Sequence, residues 1–323
     1  MQYFIQQANL FGERKQPFFF LIDFEQKKPQ IYPLDQAVEN GIFFAFPSIT
    51  NWAENVTHFP QFELNITPTD FQDYRQSFEL VKEQIQAGNS YLLNLTCQTK
   101  IASNYDLKQI FLASKAKYKL RLENQFVCFS PECFVRIEQN KIYSYPMKGT
   151  MNAKEENAVE KLIHSEKEFT EHNTIVDLIR NDLALVANNI QVRKYRYLEK
   201  VQTHRGAIYQ TSSEICGELS ENWQAEIGTI LAKLLPAGSI SGAPKVKTVE
   251  IIRQAEQQER GYYTGIFGYF DGENLDSAVA IRYIEQKNNQ LIFRSGGGIT
   301  SLSDLNEEYN EILEKVYVPI SLV

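Results

Sequence analysis

The sequence predicts a single mixed α+β domain. Its 323 residues suit one large domain or two ordinary ones, and 43% of them are hydrophobic, which is enough for a sizeable core. Helix-like and strand-like segments do not alternate regularly, so a doubly wound parallel sheet is not indicated. No linker, low-complexity tract or short repeat divides the sequence. We therefore expect one domain over residues 1–323.

The first part of the chain, residues 1–66, reads as short strands and turns. Two phenylalanine-rich runs, at residues 17–22 and 42–46, favour strands packed face to face. A helix is predicted next, because apolar residues recur at three- to four-residue steps after Asp70, and Gly88 ends it.

The same periodicities predict the remaining elements. Strands are expected at residues 91–96, 126–137, 141–145, 265–270, 277–285 and 291–295. Helices are expected at about residues 154–187, 244–257 and 304–316.

Charge and cysteine content narrow the class of protein. The net charge of −7 and the pI near 5.4 argue against a nucleic acid or an anionic membrane surface as partner. The four cysteines show no CxxC spacing, so reduced thiols in a cytosolic protein are expected. No signal segment or apolar run of ~18–20 residues is present, and we expect a soluble cytoplasmic protein.

Two pairs of glutamates are candidate metal ligands. Glu168 and Glu171 are three residues apart on one predicted helix, and Glu308 and Glu311 repeat this spacing on another, so each pair shares a helix face. Facing pairs could hold a hard cation, and oxygen-only ligation favours Mg²⁺ over Zn²⁺. Taken alone, either pair is also typical of a solvated helix face. A di-iron site is not indicated, because the Glu-x-x-His pattern is absent.

Two glycine-containing segments are candidate anion sites. Residues 236–245 precede a predicted helix, which Ser241 or a neighbour could cap and which Pro244 suits as a first-turn residue. The spacing excludes a phosphate-binding P-loop, since three residues separate the glycines and two separate Gly242 from Lys245. Residues 295–299 contain three glycines, which allow close approach of a ligand but also suit a plain tight turn.

Three cations are placed where they could act on a substrate. Arg282 lies in an otherwise apolar strand-like segment, and Lys315 lies one helical turn after Glu311; both could bind carboxylates. Lys148 lies between a strand and a glycine turn, where a partly buried neutral amine could serve as a nucleophile. A surface lysine is the alternative for Lys148.

Taken together, these segments resemble the chorismate-utilising enzymes, which include anthranilate synthase large subunit, aminodeoxychorismate synthase component I, and isochorismate and salicylate synthases. The resemblance covers a catalytic core of about residues 91–318. The matching segments are residues 146–150, 171–182, 238–245, 280–282, 296–299 and 308–311.

The resemblance implies one α/β/β/α domain of the anthranilate synthase component I type, with chorismate between two sheets. It implies Mg²⁺ held by Glu171 and Glu311, with Glu168 and Glu308 in support through water. The pyruvyl carboxylate would be bound by Arg282, Tyr263 and the backbone of Gly297 and Gly298, with Lys315 near the metal-bound end. The remaining candidates implied by the match are Thr150 for catalysis and Ser239, Ser241 and Gly242 for substrate binding.

Lys148 indicates the branch of the family. Aminodeoxychorismate synthases carry Lys at this position, where the relatives that make anthranilate, isochorismate or salicylate usually carry Ala. The resemblance therefore implies that Lys148 attacks ring C2 of chorismate, the C4 hydroxyl leaves, and ammonia displaces the lysine. The product would be 4-amino-4-deoxychorismate, on the route to 4-aminobenzoate and folate.

The sequence departs from the family pattern in two places. Gln210 stands where the family usually has His, and the amino-terminal portion is short, which predicts weak or no tryptophan binding. No Gly-x-Cys-x-Gly segment of a glutaminase is present, so ammonia is expected from solution or from a glutaminase partner subunit. Two alternatives remain: an anthranilate synthase large subunit, and a catalytically silent chorismate-binding subunit.

Overall fold

Two antiparallel β-sheets form the centre of the molecule. We describe residues 1–53, 59–203 and 206–320 from a computed structural model. The strands are β1 (Phe18–Ile22), β2 (Gln30–Pro33), β3 (Ile42–Ala45), β4 (Leu64–Thr67), β5 (Leu92–Ser103), β6 (Tyr118–Leu122), β7 (Phe126–Ser130), β8 (Cys133–Glu138), β9 (Lys141–Ser144), β10 (Met147–Asn152), β11 (Asn188–Thr203), β12 (Gly206–Glu218), β13 (Gly242–Ala243), β14 (Ile266–Phe270), β15 (Leu275–Val279), β16 (Tyr283–Lys287) and β17 (Gln290–Ile299).

Helices cover the sheets. They are α1 (Gln2–Glu13), α2 (Phe71–Gln86), α3 (Leu107–Ala113), α4 (Ala158–His164), α5 (Glu166–Ala184), α6 (Ile227–Leu234), α7 (Gly238–Ser241), α8 (Lys245–Glu256) and α9 (Leu305–Glu314). None of the helices in the described ranges is both long enough and apolar enough to cross a membrane.

Strand order places β10 and β17 in different sheets. The first sheet runs β10-β12-β9-β8-β15-β14-β1-β2, with β11 paired to β12. The second runs β13-β5-β17-β16-β7-β6-β3, with β4 paired to β5. Residues that meet from β10 and β17 therefore lie between the two sheets.

Strand β1 shows how the layers pack. Its side chains alternate between the two faces of the first sheet. Phe20 contacts Phe4 of α1, with ring centroids 6.2 Å apart, whereas Phe19 stacks on Phe44 of the second sheet at 5.3 Å. The two sheets thus share an aromatic core and carry helices on their outer sides, which confirms the predicted α/β/β/α arrangement.

Five local predictions were wrong, each for a physical reason. The first portion contains α1, whose short amphipathic pattern is hidden beside the phenylalanine runs. The helix expected at residues 154–187 is two helices, because Ser165 caps α5. The long hairpin of β11 and β12 was missed, since polar residues interrupt its alternation. The strand expected at residues 277–285 is broken at Arg282, whose φ is +53°. Ser241 ends α7 and does not cap α8, which begins after Pro244.

Candidate active site

Lys148 lies on β10 and its backbone is held firmly from β12. The hydroxyl of Thr211 donates to the Lys148 carbonyl, and the Ser213 amide donates to the Pro146 carbonyl at 3.1 Å. The Lys148 amine lies 3.5 Å from the Glu171 carboxylate, and both side chains are largely shielded from solvent. The structure therefore makes Lys148 an inward-facing residue and excludes the simple surface lysine.

His172, which follows Glu171 on α5, supports the same strand from behind. Its ring is completely buried, and its Nε2 lies 2.7 Å from the hydroxyl of Ser213. Burial and the nearby Arg196 lower the pKa of His172 to about 4, although the backbone of Lys148 acts in the opposite direction. The imidazole is therefore neutral near pH 7.

The start of α5 sets the position of its two glutamates. The Ser165 hydroxyl accepts from the Glu168 amide at 3.3 Å, which caps the helix and fixes Glu168 in its first turn. A Cβ on Gly149 would lie 2.8 Å from the Glu168 carboxylate, and the φ of Gly149 is +83°. Only glycine suits this position, because it allows both the backbone conformation and the close approach of Glu168.

The glycines of β17 bring the second helix to the same place. Gly297 and Gly298 pair with Leu95 and Asn94 of β5, so this segment is part of a strand and not a tight turn. A Cβ on Gly298 would lie 3.0 Å from the Lys148 amine, and one on Gly297 would lie 3.2 Å from the Glu308 carboxylate. Because the two glycines are adjacent, α5, β10 and α9 meet at this one stretch of β17.

Helix α9 supplies two carboxylates on the other side of this meeting point, and a lysine directly follows its last residue. Glu308 is buried and accepts from the Ser303 hydroxyl at 2.7 Å. Lys315 lies 2.6 Å from Glu311 and donates to the Gly296 carbonyl at 2.8 Å. Burial lowers the pKa of Lys315, whereas Glu311 raises it. A second lysine–glutamate pair thus borders the glycine segment.

Arg282 reaches the same region, whereas Tyr263 is packed in the core beside Tyr283. No group in the described part of the chain accepts from Nε of Arg282, although this atom is buried. The Arg282 guanidinium lies 5.3 Å from the Tyr317 ring, and its charge lowers the pKa of Lys315. Tyr263 is buried against Tyr283, and burial raises the pKa of its hydroxyl. A buried arginine donor that lacks an acceptor is suited to an anionic ligand.

The turn before α8 directs its serine hydroxyls to protein acceptors. The Ser239 hydroxyl donates to Glu132, and the Ser241 hydroxyl donates to the Ala237 carbonyl at 2.9 Å. Gly242 pairs with Leu93 of β5 at a φ of +127°. Lys245 forms an ion pair with Asp182 at 2.8 Å. The two serine hydroxyls therefore have protein acceptors in this structure.

Glu132 is a candidate site residue that the sequence did not single out. Burial raises the pKa of its carboxyl group, whereas Ser239, Lys148 and Arg282 lower it. These partners place Glu132 among the candidate substrate-binding groups, and the raised pKa allows it to hold a proton. Its position directly before β8 gave no periodic or motif signal.

Thr150 and Gln210 were also singled out in the sequence. The side chain of Thr150 lies outside the described residues. Gln210 contacts the Met147 sulfur at 3.0 Å and the Glu199 carboxylate at 3.1 Å. Gln210 therefore lies on the Met147 side of β10, away from Lys148.

The four predicted metal ligands are carboxylates, which are the oxygen donors that Mg²⁺ prefers. Of these, Glu308 lies against Gly297 and Glu168 against Gly149. Within the described residues, however, no three His, Cys, Asp or Glu side chains form a group tight enough to hold a metal ion. The amines of Lys148 and Lys315 form ion pairs with Glu171 and Glu311 and neutralise these carboxylates. The type and charge of the donors suit a divalent cation, whereas their spacing in this structure does not form a metal cluster within the described residues.

Comparison with known proteins agrees with this arrangement. A family model described as chorismate binding enzyme matches residues 14–321, so the chain belongs to the family of chorismate-binding enzymes. It is 61% identical to an uncharacterised PabA-like protein of Pasteurella multocida, over 98% of each chain.

More distant relatives have named activities. The aminodeoxychorismate synthase component 1 of Escherichia coli is 32% identical over 82% of this chain and 62% of its own length. The crystal structure of anthranilate synthase component I from Streptococcus pneumoniae superposes with a TM-score of 0.67 at 25% identity, over 78% of this chain and 58% of that one. These matches establish an enzyme family that acts on chorismate, together with its fold.

Proposed function

We propose that this protein converts chorismate and ammonia to 4-amino-4-deoxychorismate, on the route to 4-aminobenzoate and folate. The observation that carries the proposal is the position of the Lys148 amine, 3.5 Å from Glu171 and beside Gly298. An amine there can form a covalent bond to a substrate held by the surrounding groups. The identity to the Escherichia coli aminodeoxychorismate synthase component supports the same reaction.

The substrate is a dicarboxylate, and the site offers matching cations. Arg282 has a buried donor available for the pyruvyl carboxylate. In this proposal, Tyr263 and the backbone of Gly297 and Gly298 would complete that subsite. Lys315 lies at the other end, beside Gly296 and Glu311. Charge-assisted hydrogen bonds of this kind orient a planar carboxylate.

Mg²⁺ is the proposed cofactor, held by Glu171 and Glu311 with Glu168 and Glu308 in support. When bound, it would neutralise the ring carboxylate and anchor the substrate. The same charge would compete with the lysine amines for the two glutamates. The chain's own contribution is to hold the amine of Lys148 facing the ring.

The proposed reaction proceeds in two balanced displacements. The neutral Lys148 amine forms a bond to ring C2 while the C4–O bond breaks, and the departing hydroxyl takes a proton and leaves as water. Glu132 is placed to supply that proton, because burial keeps its carboxyl group protonated to higher pH than usual. Ammonia then bonds to C4, the C2–N bond breaks, and Lys148 leaves as the neutral amine. The new ammonium group at C4 returns a proton to Glu132, so that both residues are regenerated.

A direct test uses the purified chain with chorismate, Mg²⁺ and ammonium, with products separated by mass. We expect 4-amino-4-deoxychorismate, and a chorismate-derived adduct on the Lys148 peptide when ammonia is withheld. Glutamine should replace ammonium only when a glutaminase subunit is added. Formation of fluorescent anthranilate would instead assign the chain to the anthranilate branch, and no turnover would indicate a silent binding subunit.

A further inference from the structure

A buried ion pair lies behind the proposed substrate-binding segments and contacts none of the reacting groups. Arg260 precedes β14, and Glu256 ends α8; their side chains are 1% and 0% exposed. The guanidinium binds the carboxylate through two atoms, with Nη2 2.6 Å from Oε1 and Nε 2.9 Å from Oε2. The backbone at Arg260 and Gly261 is fixed in turn, since both amides donate to Glu25, at 2.8 and 2.9 Å.

The remaining donors of Arg260 reach two separate segments of backbone. Nη1 donates to the Ile240 carbonyl at 3.0 Å, and Nη2 donates to the Asn94 carbonyl at 2.6 Å. Ile240 lies between Ser239 and Ser241 in α7, whereas Asn94 is the β5 partner of Gly298. One guanidinium therefore bridges the serine turn and the strand that supports the glycine segment.

Glu256 and Tyr263 extend this bridge. The Glu256 carboxylate accepts from the Thr96 amide at 2.9 Å, one pleat further along β5, where Thr96 pairs with Gly296. The charges of Arg260 and Glu256 both influence the Tyr263 hydroxyl, which places that hydroxyl near the pair. The pair thus supports the glycine segment and Tyr263, which are proposed to bind the substrate, and the serine turn, for which the resemblance implies the same role.

We infer that Arg260 is a positioning residue, which with Glu256 sets the separation between the turn at Ser239–Ser241 and the strand at Gly297–Gly298. This inference rests on the proposed function of those segments in binding chorismate. Burial of an ion pair contributes little to stability when apolar side chains could fill the same space. The planar fork of a guanidinium can hold a carboxylate and two carbonyls at once, which an ammonium group cannot do.

The test compares four variants with the wild-type chain: Arg260→Lys, Arg260→Met, the double variant Arg260→Met with Glu256→Leu, and the control Arg121→Met. The double variant removes both charges together, so no buried charge is left without a partner. The Thr96 amide and the carbonyls of Ile240 and Asn94 each lose a hydrogen bond in this variant, as they must if the bridge is removed. Arg121 is also a buried arginine, but it lies on β6 against Phe43, away from the glycine segment. The readouts are thermal unfolding, amide hydrogen exchange, and kcat and KM for chorismate.

We expect the double variant to fold with a lowered unfolding temperature and to raise the KM for chorismate about tenfold, the loss expected from a displaced charged hydrogen bond. For Arg260→Lys we expect a KM for chorismate between those of the wild type and the double variant. In the double variant, amide hydrogen exchange should be faster in peptides that cover residues 238–242 and 296–299. The control Arg121→Met should change only the unfolding temperature. Wild-type KM and wild-type exchange in a folded double variant would overturn the inference. Altered exchange in a chain whose wild type consumes no chorismate would instead reject the proposed function.

Discussion

Strand β10 separates two polar compartments that differ in what they can do. Lys148 faces the meeting point of α5, α9 and β17, whereas Met147 faces a cavity of about 620 Å³ on the other side. The cavity is also rich in charged residues, including Arg136, Glu214 and Asp276. Only the Lys148 side brings together a nucleophile, paired carboxylates and a glycine strand. Polarity alone therefore does not identify the candidate active site; the combination of chemical groups does.

The largest effect that separates the two sides is expected at Lys148. Lys148→Ala removes the proposed nucleophile and should lower aminodeoxychorismate formation about 10³-fold, with a remainder from direct addition of ammonia. Met147→Leu conserves volume on the opposite face and should stay near wild type. Steady-state rates with ammonium measure both. Equal activity in the Lys148 and Met147 variants would remove the functional distinction between the faces.

Carboxylates on the two sides of β10 should also differ in their effect on turnover. Glu171→Gln and Glu311→Gln each remove a charge and a proposed ligand, and should reduce turnover on the order of 10²-fold while raising the Mg²⁺ concentration required. Glu214→Gln removes a carboxylate on the Met147 side and should leave the Mg²⁺ dependence unchanged. Full activity of the wild-type chain in excess EDTA would reject the metal assignment.

Glu132 should make the activity of the Lys148 side depend on pH. Its pKa is raised by burial, and the protonated form is the proposed proton donor, so activity should fall as pH rises through that pKa. Glu132→Gln should lower kcat/KM by about 10²-fold and abolish this alkaline decline, since an amide has no proton to lose. A pH profile of kcat/KM measures both effects. An unchanged decline in the variant would assign it to another group.

The smallest effect on turnover is expected at Asp276. This residue should instead affect the pH dependence of the free energy of unfolding. Burial raises its pKa to about 6, so the folded protein binds this proton more tightly than the unfolded chain. The associated stability is present below about pH 4 and is lost as pH rises to about 6, a difference of about 3 kcal/mol at most. Asp276→Asn should remove this loss and leave kcat unchanged. Denaturant unfolding from pH 4 to 8 measures it, and a wild-type pH slope in the variant would contradict it.

The site features that could be predicted from the sequence are those that depend on the local spacing of residues. The spacing of Glu308, Glu311 and Lys315 on one helix gives an ion pair one turn apart, and the structure contains it. The layered fold followed from the resemblance and is confirmed. Glu132 and the Arg260–Glu256 bridge were missed because their roles arise from contacts between distant segments. The sequence did not show that tertiary packing gives the hydroxyls of the serine turn protein acceptors. Anion binding by the backbone amides of that turn stays a prediction.

The burial of the cysteines has a practical consequence for labelling chemistry. Cys97, Cys128, Cys133 and Cys216 are all free and buried. Burial raises the pKa of the first three thiols, and electrophiles react with the thiolate form. These side chains should therefore compete poorly for alkylating reagents and resist air oxidation in the folded state. A modification found on the intact protein after exposure to an electrophilic substrate can accordingly be sought on amines first.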